Sequence, residues 1–181
     1  MLELNRRLGG SPVVLSGCEY FFTDEALALV EAEDASPISR LNGSQYLLVE
    51  FPAGFVTPRT PELFHEMLVL GTVPVIAHPE RNAIFASEPE LLGRLVEIGA
   101  CAQVTAGSLL GDFGRAAKSA AHAFVRSSLA HVVASDAHSL LKRRPRQAAA
   151  RELVRRLYGA ETEERLFDAN PRRIVSGEAL V

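Results

Sequence analysis

Two apolar runs in the sequence are each followed closely by residues that can bind a metal ion or a phosphate group. Asp136 and His138 follow one run, and His78 and Arg81 follow the other. Side chains two residues apart, just past a strand, point to the same side of the chain. A carboxylate and an imidazole in that position are typical of metal ligands at the C-terminal rim of a β/α barrel. The leading hypothesis is therefore a metal-dependent enzyme that acts on phosphate groups.

Hydrophobic periodicity, together with turn and cap signals, indicates the elements that must position these residues. We predict strands within residues 12–20, 46–51, 73–78, 101–105 and 131–135. We predict helices over residues 24–33, 60–70, 87–99, 113–127, 145–158 and 161–168, with a last helical turn from Asn170. Ser87 and Glu90 form a capping-box pattern at the start of one helix. Five strands separated by helices predict an α/β fold with parallel strands.

Polar or charged residues lie at the predicted end of every strand: Glu19, Glu50, His78, Thr105, Asp136 and His138. In parallel α/β folds the C-terminal strand ends form one rim, where functional sites are built. Carboxylates and imidazoles that converge there repel or titrate abnormally unless a divalent cation supplies the counter-charge. Mixed histidine and carboxylate ligands suit Zn, Mn or Fe better than Ca or Mg. A single acid at a strand end is more often a solvated charge or a helix cap, so this prediction depends on the whole set.

Length and composition limit the other classes of function. The 181 residues are 48% hydrophobic and 23% charged, which predicts one domain over residues 1–181 with a substantial core. The net charge of −3 and the lack of a basic block argue against nucleic acid as a partner. No apolar stretch reaches about 18 residues, so we expect no membrane insertion. With no signal peptide and only two cysteines, a cytoplasmic location is expected.

Cysteine-based catalysis and a role for the remaining histidines are both disfavoured. Cysteine-dependent tyrosine phosphatases need an arginine six positions after the cysteine, and neither Cys18 nor Cys101 has one. Three further histidines lie away from the predicted rim, and we assign them to surface or structural positions: His65, His122 and His131.

Four motifs resemble those of a known family: Tyr46-Leu-Leu-Val-Glu-Phe-Pro52, Val75-Ile-Ala-His-Pro-Glu-Arg81, Thr105-Ala-Gly-Ser-Leu-Leu-Gly111 and Ala134-Ser-Asp-Ala-His138. In order and spacing they are similar to the bacterial tyrosine-protein phosphatases of capsule and exopolysaccharide loci, in the polymerase-and-histidinol-phosphatase (PHP) superfamily. The resemblance covers residues 12–177. It implies a distorted TIM-like (β/α) barrel, up to three divalent metals, commonly manganese, and a phosphotyrosine substrate on the autokinase that controls polysaccharide export.

The resemblance also implies roles for particular residues. It implies five metal ligands: Glu19, which bridges two metals, Glu50, His78, Asp136 and His138. Arg81 matches a phosphate-binding arginine, and Arg143 is a candidate for a second. The planar guanidinium of arginine suits this task because it donates two hydrogen bonds to phosphate oxygens. Manganese is the expected metal, with zinc or iron as alternatives, and a metal-activated hydroxide would attack the phosphorus.

The start of the chain departs from the family pattern. Family members begin with a strand carrying His-x-His, an Asp-Asp-Gly-like segment and another ligand histidine, all before the Gly-x-Glu strand. Here Gly17-Cys-Glu19 comes almost at once, and residues 1–11 hold no histidine. We expect an N-terminally truncated, incomplete PHP-type domain, with a degenerate relative as the alternative. A barrel that lacks its first strands exposes an apolar edge, through which a homo-oligomer could form.

The sequence therefore predicts a metal-dependent protein-tyrosine phosphatase that regulates capsular or exopolysaccharide synthesis, with activity impaired by the missing ligands. The expected partner is the phosphotyrosine tail of a polysaccharide-export autokinase. Two alternatives remain open. One is a non-catalytic PHP remnant that docks or dimerises, and the other is a PHP phosphatase of a small phosphomonoester such as histidinol phosphate.

Overall fold

A computed structural model describes residues 2–9, 11–23, 39–139, 141 and 143–181. Five strands form one sheet in the order in which they occur along the chain, and every neighbouring pair is parallel. They are β1 (Glu19–Phe21), β2 (Tyr46–Glu50), β3 (Val73–Ala77), β4 (Cys101–Thr105) and β5 (Val132–Ala134). The predicted α/β fold with parallel strands is confirmed. Among the described residues the sheet is open, with β1 and β5 at its edges, so these five strands do not close the expected barrel.

Helices connect the strands as predicted, but the helices Leu2–Arg7 and Ala106–Leu110 were not predicted. The helices are α1 (Leu2–Arg7), α2 (Thr60–Val69), α3 (Ala83–Ser87), α4 (Pro89–Glu97), α5 (Ala106–Leu110), α6 (Gly114–Arg126), α7 (Gln147–Tyr158), α8 (Ala160–Glu164) and α9 (Asn170–Ser176). A π-helical turn, Arg165–Ala169, joins α8 to α9, and a 3-10 turn, Pro79–Arg81, follows β3. The helix predicted over residues 24–33 lies outside the described residues. No described helix has the length and apolar character needed to cross a membrane.

The main core lies on one face of the sheet. Alternate strand residues point to opposite faces, and the residues on this face pack under the helices: Leu47, Val49, Ile76, Ala102, Val104 and Val133, with Phe64, Phe85 and Phe124 above them. The other face carries a smaller buried cluster: Tyr46, Val75, Cys101, Val132 and Ile174. Burial of both faces explains why β2, β3 and β4 are continuous apolar runs in the sequence.

Strand β1 begins at Glu19, whereas the sequence pattern predicts a strand that ends there, so this prediction is wrong. Glu19 and Leu48 are the first paired residues of β1 and β2, and the described residues before Glu19 do not pair with β2. The backbone of Val14 forms two hydrogen bonds, of 2.7 and 2.8 Å, with the side chain of Asn5. Val14, in the apolar run before Glu19, therefore bonds to a side chain of α1 and not to the sheet.

The predicted cap at Ser87 is also wrong. Two helices, α3 and α4, replace the single predicted helix, because Pro89 has no N–H to donate and restricts the residue before it. The cap is Asn82, whose Oδ1 accepts two backbone N–H bonds of 2.9 and 3.2 Å at the start of α3. Ser87 is the last residue of α3, and its exposed hydroxyl donates back into the same helix.

This difference generates a stability prediction. Asn82 is buried and its amide also donates to the carbonyl of Pro52 at 2.7 Å, so Asn82→Ala leaves several buried polar groups unpaired. We expect Asn82→Ala to lower the free energy of unfolding in urea by about 1–3 kcal/mol. The control Ser87→Ala should change it by less than about 0.5 kcal/mol. Equal effects of the two substitutions would contradict the assigned cap.

Candidate metal and phosphate site

Three of the predicted metal ligands lie together near the C-terminal ends of β2 and β3. Glu19 begins β1, Glu50 ends β2, and His78 directly follows β3. His78 Nε2 lies 3.0 Å from Glu19 Oε1 and 3.4 Å from Glu50 Oε1. One ligand atom from each residue lies within 4.8 Å of the others, a spacing that could hold a metal ion. The parallel register places Glu50 and His78 at the ends of neighbouring strands. Glu19 lies level with Leu48, two residues before the end of β2, and reaches the group through its side chain.

The backbone at His78 turns sharply. Its φ of 35° and ψ of 53° are left-handed, which is uncommon for a residue other than glycine and marks backbone strain. The His78 N–H donates to the carbonyl of Gln103 in β4 at 2.8 Å, and its own carbonyl accepts the N–H of Arg81 at 2.9 Å. These two bonds fix the turn, which directs the imidazole towards the two glutamates.

The electrostatics of this group favour a neutral imidazole at His78. Burial lowers the pKa of His78, and the nearby positive charge of Arg81 lowers it further. Burial raises the pKa of Glu19, and the negative charge of Asp136 adds to that effect. A neutral imidazole presents a lone pair on Nε2 when its proton is on Nδ1.

The spacing of the three groups fits a transition metal. Metal–ligand bonds of about 2.0–2.2 Å place adjacent ligand atoms about 2.8–3.6 Å apart in octahedral or tetrahedral geometry. The two contacts of His78 Nε2 with the glutamates fall in that range. One nitrogen and two carboxylate oxygens suit zinc, iron or manganese, so the residues present fit a divalent metal of this kind.

Both candidate phosphate-binding arginines bind one carboxylate. Arg81 and Arg143 each donate to Oδ2 of Asp136, whose side chain is only 8% exposed. The guanidinium carbon of Arg81 lies 4.6 Å, and that of Arg143 5.9 Å, from the centre of the Phe113 ring. The aromatic face attracts both cations, and together with Asp136 it holds them side by side.

Asp136 and His138 do not join the three-residue group. Among the described residues, no cluster of three potential ligands contains either of them. The side chain of His138 is 57% exposed, and its Nδ1 lies 3.0 Å from the Asp136 backbone carbonyl. The His138 N–H donates to the carbonyl of Arg143 at 2.8 Å, which closes the loop that carries both residues. Their assignment as metal ligands stays a prediction.

Two residues that build the site were missed by the sequence analysis. Glu80 is almost fully buried, and its Oε1 accepts the Thr105 N–H at 3.0 Å and the Ser108 hydroxyl at 2.6 Å. Burial raises the pKa of Glu80. These bonds tie the turn after β3 to the end of β4. The position of Glu80, between His78 and Arg81 in the sequence, could have marked it as part of the site. The second missed residue is Phe113, and nothing in the sequence pairs it with distant arginines.

The remaining chemical groups have structural explanations. A second group of acidic residues, Glu163, Glu164 and Asp168, encloses Arg151, which already supplies a positive charge to it. Burial raises the pKa of the Cys101 thiol to about 12, which agrees with the exclusion of cysteine chemistry. His65 is exposed. The other two histidines are hydrogen-bonded: His131 Nδ1 accepts the Ala102 N–H at 3.1 Å, and His122 bonds to Tyr158 and to the carbonyl of Leu109.

The fold and the site define an α/β protein with a candidate transition-metal group and an adjacent arginine pair. Residues 4–176 match the family described as "Capsular polysaccharide synthesis, CpsB/CapC", and the chain belongs to this family. A solved structure described as that of YwqE from Bacillus subtilis and CpsB from Streptococcus pneumoniae, "unique metal-dependent tyrosine phosphatases", superposes with a TM-score of 0.90 at 33% identity. The match covers 99% of this chain and 72% of that one.

Individual relatives show the extent of the match. CapC from Staphylococcus aureus is 42% identical over 127 residues, which are 70% of this chain and 49% of CapC. The tyrosine-protein phosphatase YwqE is 41% identical over 67% of this chain and 48% of its own length. The tyrosine-protein phosphatase CpsB of Streptococcus pneumoniae is 30% identical over 98% of this chain and 74% of its own length. The matched part of the chain thus spans about half the length of CapC and of YwqE.

The arginine pair generates a second stability prediction. Asp136→Asn removes the negative charge that two guanidiniums, 24% and 33% exposed, both contact. We expect the free energy of unfolding, measured in the presence of EDTA, to fall by about 1–3 kcal/mol. This loss is smaller than for a fully buried ion pair, because water screens both arginines. Asp112→Asn breaks a 2.8 Å ion pair with Arg146 that is about 40% exposed, and should cost less than about 1 kcal/mol. A larger loss in the Asp112 variant would contradict this account.

Proposed function

We propose that this chain is a part of a metal-dependent protein-tyrosine phosphatase that acts in capsular or exopolysaccharide synthesis. The observation that carries the proposal is the group of Glu19, Glu50 and His78 beside an arginine pair. Metal ligands next to guanidinium groups are the parts that phosphate ester hydrolysis requires. The names of the relatives YwqE and CpsB, both tyrosine-protein phosphatases, support the choice of substrate class.

In this proposal Glu19, Glu50 and His78 hold a divalent metal, with manganese as the first choice and zinc or iron as alternatives. Asp136 and His138 would be ligands of further metals, up to three in total. A bound metal supplies a water of lowered pKa as the nucleophile and polarises the phosphoryl oxygens. Glu80 keeps the turn after β3 in place, so that His78 and Arg81 remain on the same side of the site.

Arg81 and Arg143 would bind the phosphoryl oxygens. Each carries a planar guanidinium that donates paired hydrogen bonds, and both already point at one anionic group, the Asp136 carboxylate. Their positive charges would offset the negative charge that develops on the phosphoryl oxygens in the transition state. Phe113 limits the orientations that the two guanidiniums can take.

We further propose that residues 1–181 form a single, incomplete PHP-type domain of the distorted TIM-like (β/α) barrel type. A groove of about 430 Å³, with Leu48, Val75 and Val132 in its wall, lies on the face of the sheet that would be the inside of such a barrel. The open edge of β1 could also pair with a second copy of the chain. A cytoplasmic location and the phosphotyrosine tail of an export autokinase as partner belong to the same proposal.

Metal binding tests the ligand group. We expect stoichiometric Zn²⁺ or Mn²⁺ by elemental analysis after dialysis, and His78→Ala should abolish it because two carboxylates alone are a poor site for these ions. The control His65→Ala replaces an exposed histidine on α2 and should bind metal as the unmodified chain does. Stoichiometric metal retained by His78→Ala would show that the site lies elsewhere.

Hydrolysis of p-nitrophenyl phosphate tests the arginine role. We expect slow turnover that requires added manganese, and Arg81→Ala should lower kcat/KM at least tenfold, equivalent to about 1.4 kcal/mol. Arg115→Ala, at an exposed arginine on α6, should stay within about twofold. Turnover that is independent of metal, or unchanged in Arg81→Ala, would contradict the proposal. Metal binding with no turnover at all would favour the non-catalytic remnant.

A further inference from the structure

Two small cavities lead away from the metal and phosphate site. The inner cavity, of about 130 Å³, is lined by Glu50, His78 and Arg81 together with aromatic rings. The outer cavity, of about 220 Å³, is lined mainly by apolar side chains, among them Phe55. Both cavities have Phe21 and Phe51 in their lining, so they lie next to each other. We call the two neighbouring cavities together the aromatic groove.

The floor of the aromatic groove is rigid. Phe51 is buried, and its ring centre lies 4.8 Å from that of Phe22, 5.3 Å from that of Phe85 and 6.0 Å from that of Phe64. The Phe51–Phe85 pair is edge-to-face, an arrangement that aromatic rings prefer. The groove floor is therefore formed before any ligand binds.

Two aromatic side chains at the edge of the groove are exposed to solvent. Phe21 is 54% exposed and Phe55 is 57% exposed, although both are large aromatic side chains. Single exposed apolar residues are common, but two aromatic side chains on one groove next to polar chemistry are typical of binding sites. An apolar cavity of about 150 Å³ accommodates benzene. The inner cavity, at about 130 Å³, is of comparable size and adjoins the outer cavity, so it can take part of an aromatic ring.

We propose that the aromatic groove is an aryl subsite, in which Phe21 contacts the ring of an aryl phosphomonoester whose phosphoryl group lies beside His78 and Arg81. The lining of the inner cavity includes both groups that such a ligand needs, aromatic rings and a cation. Phe21 is then a specificity-determining residue that distinguishes aryl from alkyl phosphate esters. This inference rests on the proposed function and deepens it, because it selects a tyrosine side chain over an aliphatic alcohol as the leaving group.

Ligand titrations followed by NMR, with zinc present, test this proposal on the chain as it stands. We expect phenyl phosphate to bind about tenfold more tightly than methyl phosphate. Phe21→Ala should weaken phenyl phosphate about fivefold to tenfold and leave methyl phosphate unchanged. Leu157→Ala, on α7 and 53% exposed, is the matched control and should change neither affinity. Phe21→Leu keeps apolar bulk on the edge strand β1, so its affinity for phenyl phosphate should lie between that of the unmodified chain and that of Phe21→Ala.

A third probe separates failure of this inference from failure of the proposed function. p-Cresol carries the tyrosine ring without phosphate. Intermolecular NOEs should connect its ring protons with those of Phe21 and Phe51. If neither phosphate ester binds while p-cresol does, the phosphatase proposal fails and the aryl subsite stands. Equal affinity for phenyl and methyl phosphate, an unchanged Phe21→Ala titration, or no p-cresol at the groove would each overturn the aryl subsite.

Discussion

The left-handed turn at His78 is the constraint on which the rest of the site depends. One hydrogen bond ties its N–H to Gln103 in the neighbouring strand, and another ties its carbonyl to Arg81. As a result the side chains of His78, Glu80 and Arg81 point in three different directions. The imidazole faces the two glutamates, Glu80 enters the core, and Arg81 reaches Asp136. A right-handed residue at this position would carry the chain on a different path, and these contacts could not coexist.

The charges at the rim fall into two neighbouring groups. Two carboxylates and a neutral imidazole form a negative group that suits a cation, while two arginines share the single carboxylate of Asp136. Phe113 borders both arginines, and the aromatic groove borders Arg81 and His78, so apolar surface adjoins each of these polar groups. Low polarity around charged groups strengthens the interactions between them.

Much of this arrangement follows from the sequence, because parallel strands covered on both faces leave strong local signals. The runs that become β2, β3, β4 and β5 are apolar and end in polar residues, so the rim positions of Glu50 and His78 could be predicted. The extent of β1 could not, since its preceding residues bond to Asn5 through the tertiary fold. The same holds for Phe113, which only the folded chain brings under the arginines.

The central claim is that Glu19, Glu50 and His78 bind one divalent metal, and anomalous diffraction measures this directly. Crystals of the protein grown with zinc, and measured on both sides of the zinc absorption edge, should show one anomalous peak among the three side chains. The peak should lie about 2.0–2.2 Å from His78 Nε2 and from an oxygen of each glutamate. A strong zinc peak elsewhere in the protein, with these three side chains unliganded, would contradict the account.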